Sequence, residues 1–314
     1  DDGSFHRVDA INGSTYNNPI AQDELIINNT YQNRALGNIY LQISPIEGLI
    51  AKSTFGFDIT TVKQNRYNSV DLPTNYEAAR GGQAFINTSF ATSIQNENTI
   101  NYTKEIGKHD FNILGGWTYQ SYSMEDLDVE ARGFSNDVTT YNSIETGDPE
   151  FLKGWSGENS WSLLSGLYRL NYSYAGKYLF TFSGRHDGSS RLAEGNKWQF
   201  FPSGAIAWRM LEEKFIDELG IFSNLKLRAS YGKTGSQSVS PYSTLANLNS
   251  GFNYIGGQQV VTFSPAGSAD PSLKWEVTDQ YDIGLEAGFL NNRLNFEFDY
   301  YYKKTSDLLL AREL

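Results

Sequence analysis

The side chains best suited to chemistry in this sequence are its three histidines, one lysine-bearing glycine triplet and a run of acids. His6, His109 and His186 lie far apart, and none has a second His or Cys at metal-ligand spacing. His186-Asp187 sets an imidazole beside a carboxylate at the end of an expected strand, where a solvated strand end accounts for both and no catalytic role is needed. Gly232-Lys233-Thr234 imitates the close of a phosphate-binding loop, yet position 227, where that loop needs its first glycine, is Leu. Glu125, Asp126, Asp128 and Glu130 enter an expected long loop. Such a run ordinarily marks a solvated surface; a divalent-cation site built from carboxylate and carbonyl oxygens is the sharper alternative, although the spacing is not that of an EF-hand. Among 36 Asp and Glu, paired acids for glycoside cleavage can always be found, so their presence carries no weight. The absence of cysteine excludes disulfides and Cys-based metal or redox sites. These residues point to no catalytic group, cofactor or metal, and so to a protein that is not an enzyme.

Ligand binding is a better use of what remains. Trp155 and Trp161 flank Gly154-Trp155-Ser156-Gly157, and Tyr242, Phe252 and Tyr254 fall in a long segment before Trp275. Aromatic faces in outer loops stack on sugar rings; the alternative is that these rings pack the loops against one another.

Stepping from side chains to the elements that carry them, 20 Tyr, 19 Phe and 6 Trp against 2 Met favour pleated, half-buried strands. A net charge of −11 and the lack of any Lys/Arg cluster exclude nucleic acid as a partner. No apolar run is long enough for a membrane helix, but a barrel strand spans with about nine to eleven residues and hides its apolar face by alternation. The chain opens on Asp1-Asp2-Gly3-Ser4 with no charged-then-apolar leader, and is expected to be a piece of a longer protein.

Alternation is plain between residues 163 and 174, where Leu164, Tyr168, Leu170, Tyr172 and Tyr174 share one face and Ser165, Arg169, Asn171 and Ser173 the other. After Ala175-Gly176-Lys177 it resumes with Tyr178, Phe180 and Phe182 against Thr181, Ser183, Arg185 and Asp187, which predicts a hairpin. Phe296, Phe298, Tyr300 and Tyr302 oppose Asn295, Glu297, Asp299 and Lys303 in the same way. The pattern predicts strands near 34–43, 49–62, 84–103, 110–127, 162–174, 178–188, 198–208, 224–234, 275–289 and 293–304. Ser44–Gly48, Lys104–His109, Ala175–Lys177 and Leu290–Asn292 are tight connections, whereas 63–83, 128–161 and 235–274 are long; Leu211–Gly220 is expected to hold a small helix on the tight side. Short turns at one end and long loops at the other are the layout of outer-membrane barrels, with turns in the periplasm and loops outside. Soluble sandwiches and propellers also have many strands, but shorter ones and without this regular alternation of connections.

The segments Asp270-Pro271-Ser272-Leu273-Lys274-Trp275-Glu276, Tyr281-Asp282-Ile283-Gly284-Leu285-Glu286, Asn291-Asn292-Arg293-Leu294 and Asp299-Tyr300-Tyr301-Tyr302-Lys303-Lys304-Thr305 closely resemble the SusC/RagA family of TonB-linked outer-membrane proteins. Asn18-Pro19-Ile20-Ala21, Phe201-Pro202-Ser203 with Ala207-Trp208-Arg209, and the stretch from Asn224 to Gly235 are similar to it too. The resemblance implies an all-β fold: an antiparallel transmembrane β-barrel segment, with about ten of about twenty-two strands in residues 1–314. It further implies active import of glycan fragments or peptides, a SusD-like surface lipoprotein as partner, and coupling to the TonB complex. No plug domain, TonB-contacting segment or closing strands are recognised in these residues. In such a barrel the apolar faces meet outer-membrane lipid, Tyr and Trp near strand ends form girdles, and Arg169, Arg185, Glu286, Glu297 and Asp299 face the wet lumen. A secreted β-rich module that binds polysaccharide without transporting it is the competing reading, and a passive porin a third.

Overall fold

The computed structural model describes residues 19–72, 81–266 and 269–309. Among the described residues twelve strands follow one another: β1 (Ile26–Ile43), β2 (Leu49–Asn68), β3 (Gly82–Ile106), β4 (His109–Phe134), β5 (Lys153–Tyr174), β6 (Tyr178–Ser189), β7 (Trp198–Arg209), β8 (Phe222–Ser236), β9 (Leu248–Ile255), β10 (Gln258–Pro265), β11 (Glu276–Phe289) and β12 (Leu294–Ser306). Ten of them form one meandering sheet, β1-β2-β3-β4-β5-β6-β7-β8-β11-β12, and β9 with β10 makes a separate hairpin. The helices are small: α1 (Pro19–Leu25) and α2 (Lys214–Asp217). No helix among the described residues is long and apolar enough to cross a membrane, which says nothing against crossing by strands.

The chain divides into two compact units, one of residues up to Gly37 with Phe57–Ser93 and Tyr122–Ser160, the other of Asn38–Gly56, Ile94–Ser121 and Trp161–Leu314. In the second unit the ladder registers show directly why the sequence alternates. Tyr172↔Phe180, Phe180↔Ile206, Ile206↔Ala229, Ala229↔Ile283 and Ile283↔Tyr300 carry one apolar level across six strands. Asn171↔Thr181, Thr181↔Ala205, Ala205↔Ser230, Ser230↔Asp282 and Asp282↔Tyr301 carry the adjacent level on the opposite face. The apolar face is open rather than covered: Phe182 is 50%, Ile206 55% and Phe298 67% exposed. Large apolar side chains left bare on one continuous sheet face are what a hydrocarbon solvent requires.

At the tight-turn end of this face Tyr174, Tyr178 and Trp208 stack in a row, with neighbouring ring centroids 6.5 Å and 6.4 Å apart. The connection after β7 folds back onto them, so that Glu213 accepts hydrogen bonds from Tyr178 Oη at 2.6 Å, Lys177 Nζ at 3.2 Å and Trp208 Nε1 at 3.4 Å. These donors, Tyr178 foremost and then Lys177, hold the Glu213 carboxyl below its ordinary value against the opposing effect of burial. The small helix expected within 211–220 is α2, a single helical turn fastened to an aromatic girdle.

Most strands run further than their alternation predicted. β1 begins at Ile26 rather than near 34, and β4 continues to Phe134 rather than 127. The added residues lie mainly toward the long loops, beyond the lipid-facing stretch; those of β2 and β4 include Tyr67, Ala131 and Phe134, which pack into a small local core instead of following the apolar alternation.

Because Phe182 faces outward, replacing it with Arg places an unpaired charge in hydrocarbon at a cost of about 2–4 kcal/mol. Heat-modifiable electrophoresis of the full-length protein should show a clear fall in folded outer-membrane protein for Phe182→Arg, and little change when the inward-facing Asn171 becomes Ser.

Candidate functional site

The inward face of β8, β11 and β12 is a connected set of charges. Arg228 lies level with Gly284 and Asp299, and a Cβ at position 284 would stand 2.7 Å from the guanidinium carbon, so only glycine there lets Arg228 reach across β11. Its Nη2 donates to Glu297 at 2.7 Å and to Asp299 at 2.8 Å, while its Nε lies 3.3 Å from Glu286. Lys226 Nζ approaches the same Glu286 at 3.1 Å. On β5 and β6, Arg185 bridges Asp187 at 2.6 Å and Ser165 at 2.9 Å, and Ser183 bonds Ser203 at 2.6 Å. Four of the five residues expected in the lumen, Arg185, Glu286, Glu297 and Asp299, thus share one polar face in these pairs, and Arg169, level with Ser183, lies on it too.

Two hubs fix the loops. In the first unit Asp137 accepts from Tyr67 Oη at 2.9 Å, Ser69 Oγ at 2.5 Å and the Val70 amide at 2.9 Å. Burial disfavours its charged form, but these hydrogen bonds together outweigh burial and hold the carboxyl below its ordinary value. Around it Tyr67, Ala84, Ala131 and Phe134 form a small core joined by Val70, Tyr141 and Ile144. In the second unit Leu192, Phe201, Trp275 and Val277 pack together. Trp275 Nε1 donates to Lys197 O at 2.9 Å, the Ala193 amide bonds Leu273 O at 3.1 Å, and Asn196 bonds Ser272 O at 3.1 Å. Gly235 is required beside this hub, since a Cβ there would lie 2.1 Å from the Phe201 ring. The Asp270 carboxyl, held low by the Ser272 hydroxyl and amide, turns the chain into Trp275.

Several expectations about individual residues are corrected by this geometry. The acids at 125–130 do not enter a loop but lie within β4. Asp128 accepts from Asn87 at 2.7 Å, and the buried Glu130 accepts from Gln83 at 2.8 Å and Arg132 at 2.5 Å, so strand pairing has already used these carboxylates. Among the described residues no group of three or more His, Asp or Glu is placed to hold a metal. His186 and Asp187 are both inside β6, and alternation sends them to opposite faces: His186 lies against Trp198, Asp187 pairs with Arg185. Gly232-Lys233-Thr234 is extended strand in β8. Trp155 and Trp161 belong to β5 rather than to a loop, and the segment 235–274 contains the hairpin β9–β10. His6 lies outside the described residues.

Of the proposed binders, Phe252 and Tyr254 share one hairpin face with Leu248, Val261 and Phe263, all highly exposed. Tyr242 sits in the preceding turn at φ +66°, and Trp155 is half exposed. Trp161 carries the Arg191 guanidinium over its ring, 4.4 Å from the centroid. Sequence reasoning missed Asp137, Arg191 and the anchoring role of Trp275, because each acts through residues distant in the chain.

A membrane-spanning wall of antiparallel strands with a polar inward face and anchored outer loops defines the class, and comparison with known proteins agrees. The profile of the family described as TonB dependent receptor-like, beta-barrel matches residues 2–314. The TonB-dependent receptor P26 of Formosa agariphila is 42% identical over 311 residues, 99% of this chain and 31% of its own length. The TonB-dependent receptor SusC of Bacteroides thetaiotaomicron is 35% identical over 214 residues, 67% of this chain and 21% of its own. Among solved structures, that of the RagAB peptide transporter superposes with a TM-score of 0.85 at 27% identity, covering 94% of this chain and 32% of that one. The chain therefore belongs to the TonB-dependent receptor β-barrel family and is an outer-membrane barrel segment, spanning about a third or less of the length of the relatives it matches.

Two consequences are measurable in the full-length protein. Trp275→Ala empties the second hub, a loss of about 3–5 kcal/mol, and trypsin should then cut at Arg191 and Lys197 much faster than in the parent. Asp137 has a depressed value in the fold, so its latch is complete above the ordinary carboxylate value of about 3.9 and is lost only as pH falls through its lower folded value. Pepsin nicking of residues 135–152 should stay slow near that pH and rise below it, while Asp137→Ala should be nicked readily throughout.

Proposed function

We propose that this chain forms part of the wall of an active outer-membrane importer that takes up glycan fragments or peptides. The observation that carries the reading is the extent of likeness: nearly the whole chain follows the backbone of the RagAB peptide transporter, and SusC is among its relatives. The polar inward face supports it, because a substrate path needs a wet, hydrogen-bonding wall held rigid by paired charges. Trp155, Trp161, Tyr242, Phe252 and Tyr254 are the proposed substrate-contacting aromatics at the outer side, where stacking suits sugar rings and side chains alike. Import through such a wall is proposed to depend on the TonB complex and on a SusD-like surface lipoprotein at the outer end. The role is transport, not catalysis.

The test is uptake of labelled oligosaccharides and peptides by cells with the gene intact, deleted, or intact in a TonB-inactivated background. Loss of uptake in both altered strains is expected, together with recovery of a lipoprotein when the intact protein is purified in mild detergent. Undiminished uptake without TonB would overturn active import and leave the porin reading.

A further inference from the structure

We infer that Arg191 and Trp161 form a ligand subsite at the outer end of the inward face, and that the group it takes is a carboxylate carried by the substrate. The inference rests on the import reading above and narrows its substrate to an acidic one.

Position comes first. Trp161 is two residues from Leu163 on β5, so alternation puts it on the inward face with Ser165 and Arg169. The Ser190 amide donates to Ser162 O at 3.0 Å, and the Ser162 amide to Ser190 Oγ at 2.8 Å. Beyond the end of β6 the chain therefore still runs beside β5 and delivers Arg191 to Trp161, with the guanidinium carbon 4.4 Å from the ring centroid. Stacking of this kind fixes the plane of the guanidinium and leaves its forked edge to act on a planar partner.

On the same face Arg185 has Asp187, Lys226 has Glu286, and Arg228 has Glu297 and Asp299. Among the described residues Arg191 has no carboxylate within ion-pair distance, and its Nε is buried without a hydrogen-bond partner. The chain continues into the buried Leu192, part of the core around Trp275, and burial pulls the Arg191 guanidinium below its ordinary value. A charge so placed has paid part of its desolvation already and gains most from an oxyanion supplied by a ligand. Deeper on the same face Arg169 likewise lacks an acidic partner among the described residues, so an anion moving inward meets a second open guanidinium.

The chemistry selects a carboxylate beside an apolar or ring-shaped body, the carboxylate for Arg191 and the body for the indole. Two sources carry such a group, a uronic acid within a glycan and an acidic residue or C-terminus within a peptide. The full-length transporter in detergent would be titrated calorimetrically with tetragalacturonate, with neutral galactotetraose, with tetraglutamate and with tetraglutamine. A carboxylated probe should bind about tenfold or more tightly than its neutral counterpart, and which of the two acidic probes does so assigns the source. Arg191→Met keeps an apolar stem over Trp161 but removes the charge; it should abolish the preference by lowering the affinity of the carboxylated probe to that of its neutral counterpart. Arg191→Lys, which keeps charge without the fork, should fall between. Equal affinity of acidic and neutral probes, no binding of either acidic probe, or an unchanged acid preference in a correctly folded Arg191→Met would each overturn the proposal. These titrations need no TonB, so a failed uptake assay would count against import without touching them.

Discussion

Hydrocarbon offers a backbone nothing to hydrogen-bond to, and every amide of a membrane-spanning strand must find its partner on the neighbouring strand. That requirement makes the ladder register the quantity on which everything else in this wall depends. Once Tyr281 is paired with Tyr231 on one side and Tyr302 on the other, parity decides the fate of each residue on three strands. A slip of a single position would turn Arg228 and Asp299 toward lipid and bury Tyr300 in the polar face. Gly284 shows how closely side-chain chemistry follows from register, because its missing side chain is the gap through which Arg228 reaches a strand two places away.

The two faces then obey different electrostatics. Outward, aromatic and branched side chains fill the middle of the face, the ion pair of Lys233 with Asp279 lies toward the long-loop end, and at the turn end the girdle residues Tyr178 and Trp208 direct their polar atoms to Glu213. Inward, most cations are interleaved with acids, as Arg185 is with Asp187, Lys226 with Glu286, and Arg228 with Glu297 and Asp299. The outer loops are held by a half-buried carboxylate in one unit and a tryptophan-centred core in the other, so recognition side chains stand on fixed supports.

How much of this was visible in the sequence follows from the same physics. Residues 163–174 and 294–304 announce their strands because one face must be apolar and the other polar. Ile26 to Gln32, in β1, carry no such signal, since Asn28, Asn29, Thr30 and Gln32 are tolerated wherever both faces are hydrated. The hairpin β9–β10 was legible in principle: Gly256-Gly257, both at positive φ, separates two short runs that hold Phe252, Tyr254, Val261 and Phe263 at alternate positions. The turn residues that crowd the surrounding 235–274 segment mask it in the sequence. The site was less legible than the fold. Trp161 stands out by type, but nothing local marks Arg191 as its neighbour, and Asp137 looks like any loop acid until Tyr67 and Ser69 are folded against it. The acids at 125–130 mislead for a different reason: they lie within β4, where Asp126, Asp128 and Glu130 share one face, but Asn87 occupies Asp128, and Gln83 with Arg132 occupies Glu130.

The hydrogen bond from Trp275 to Lys197 joins residues 78 positions apart, and β7, β8, β9 and β10 lie between them in the chain. Pairing of β8 on β7 and of β11 on β8 is what brings the two loops to the same edge, and it shortens the loop that the contact must close. The outer knot is thus cheapest to close once the wall beneath it has committed to a register. Its closure doubles as a check on that register, since a strand out of step would carry Phe201 and Trp275 past one another and leave the outer surface unset.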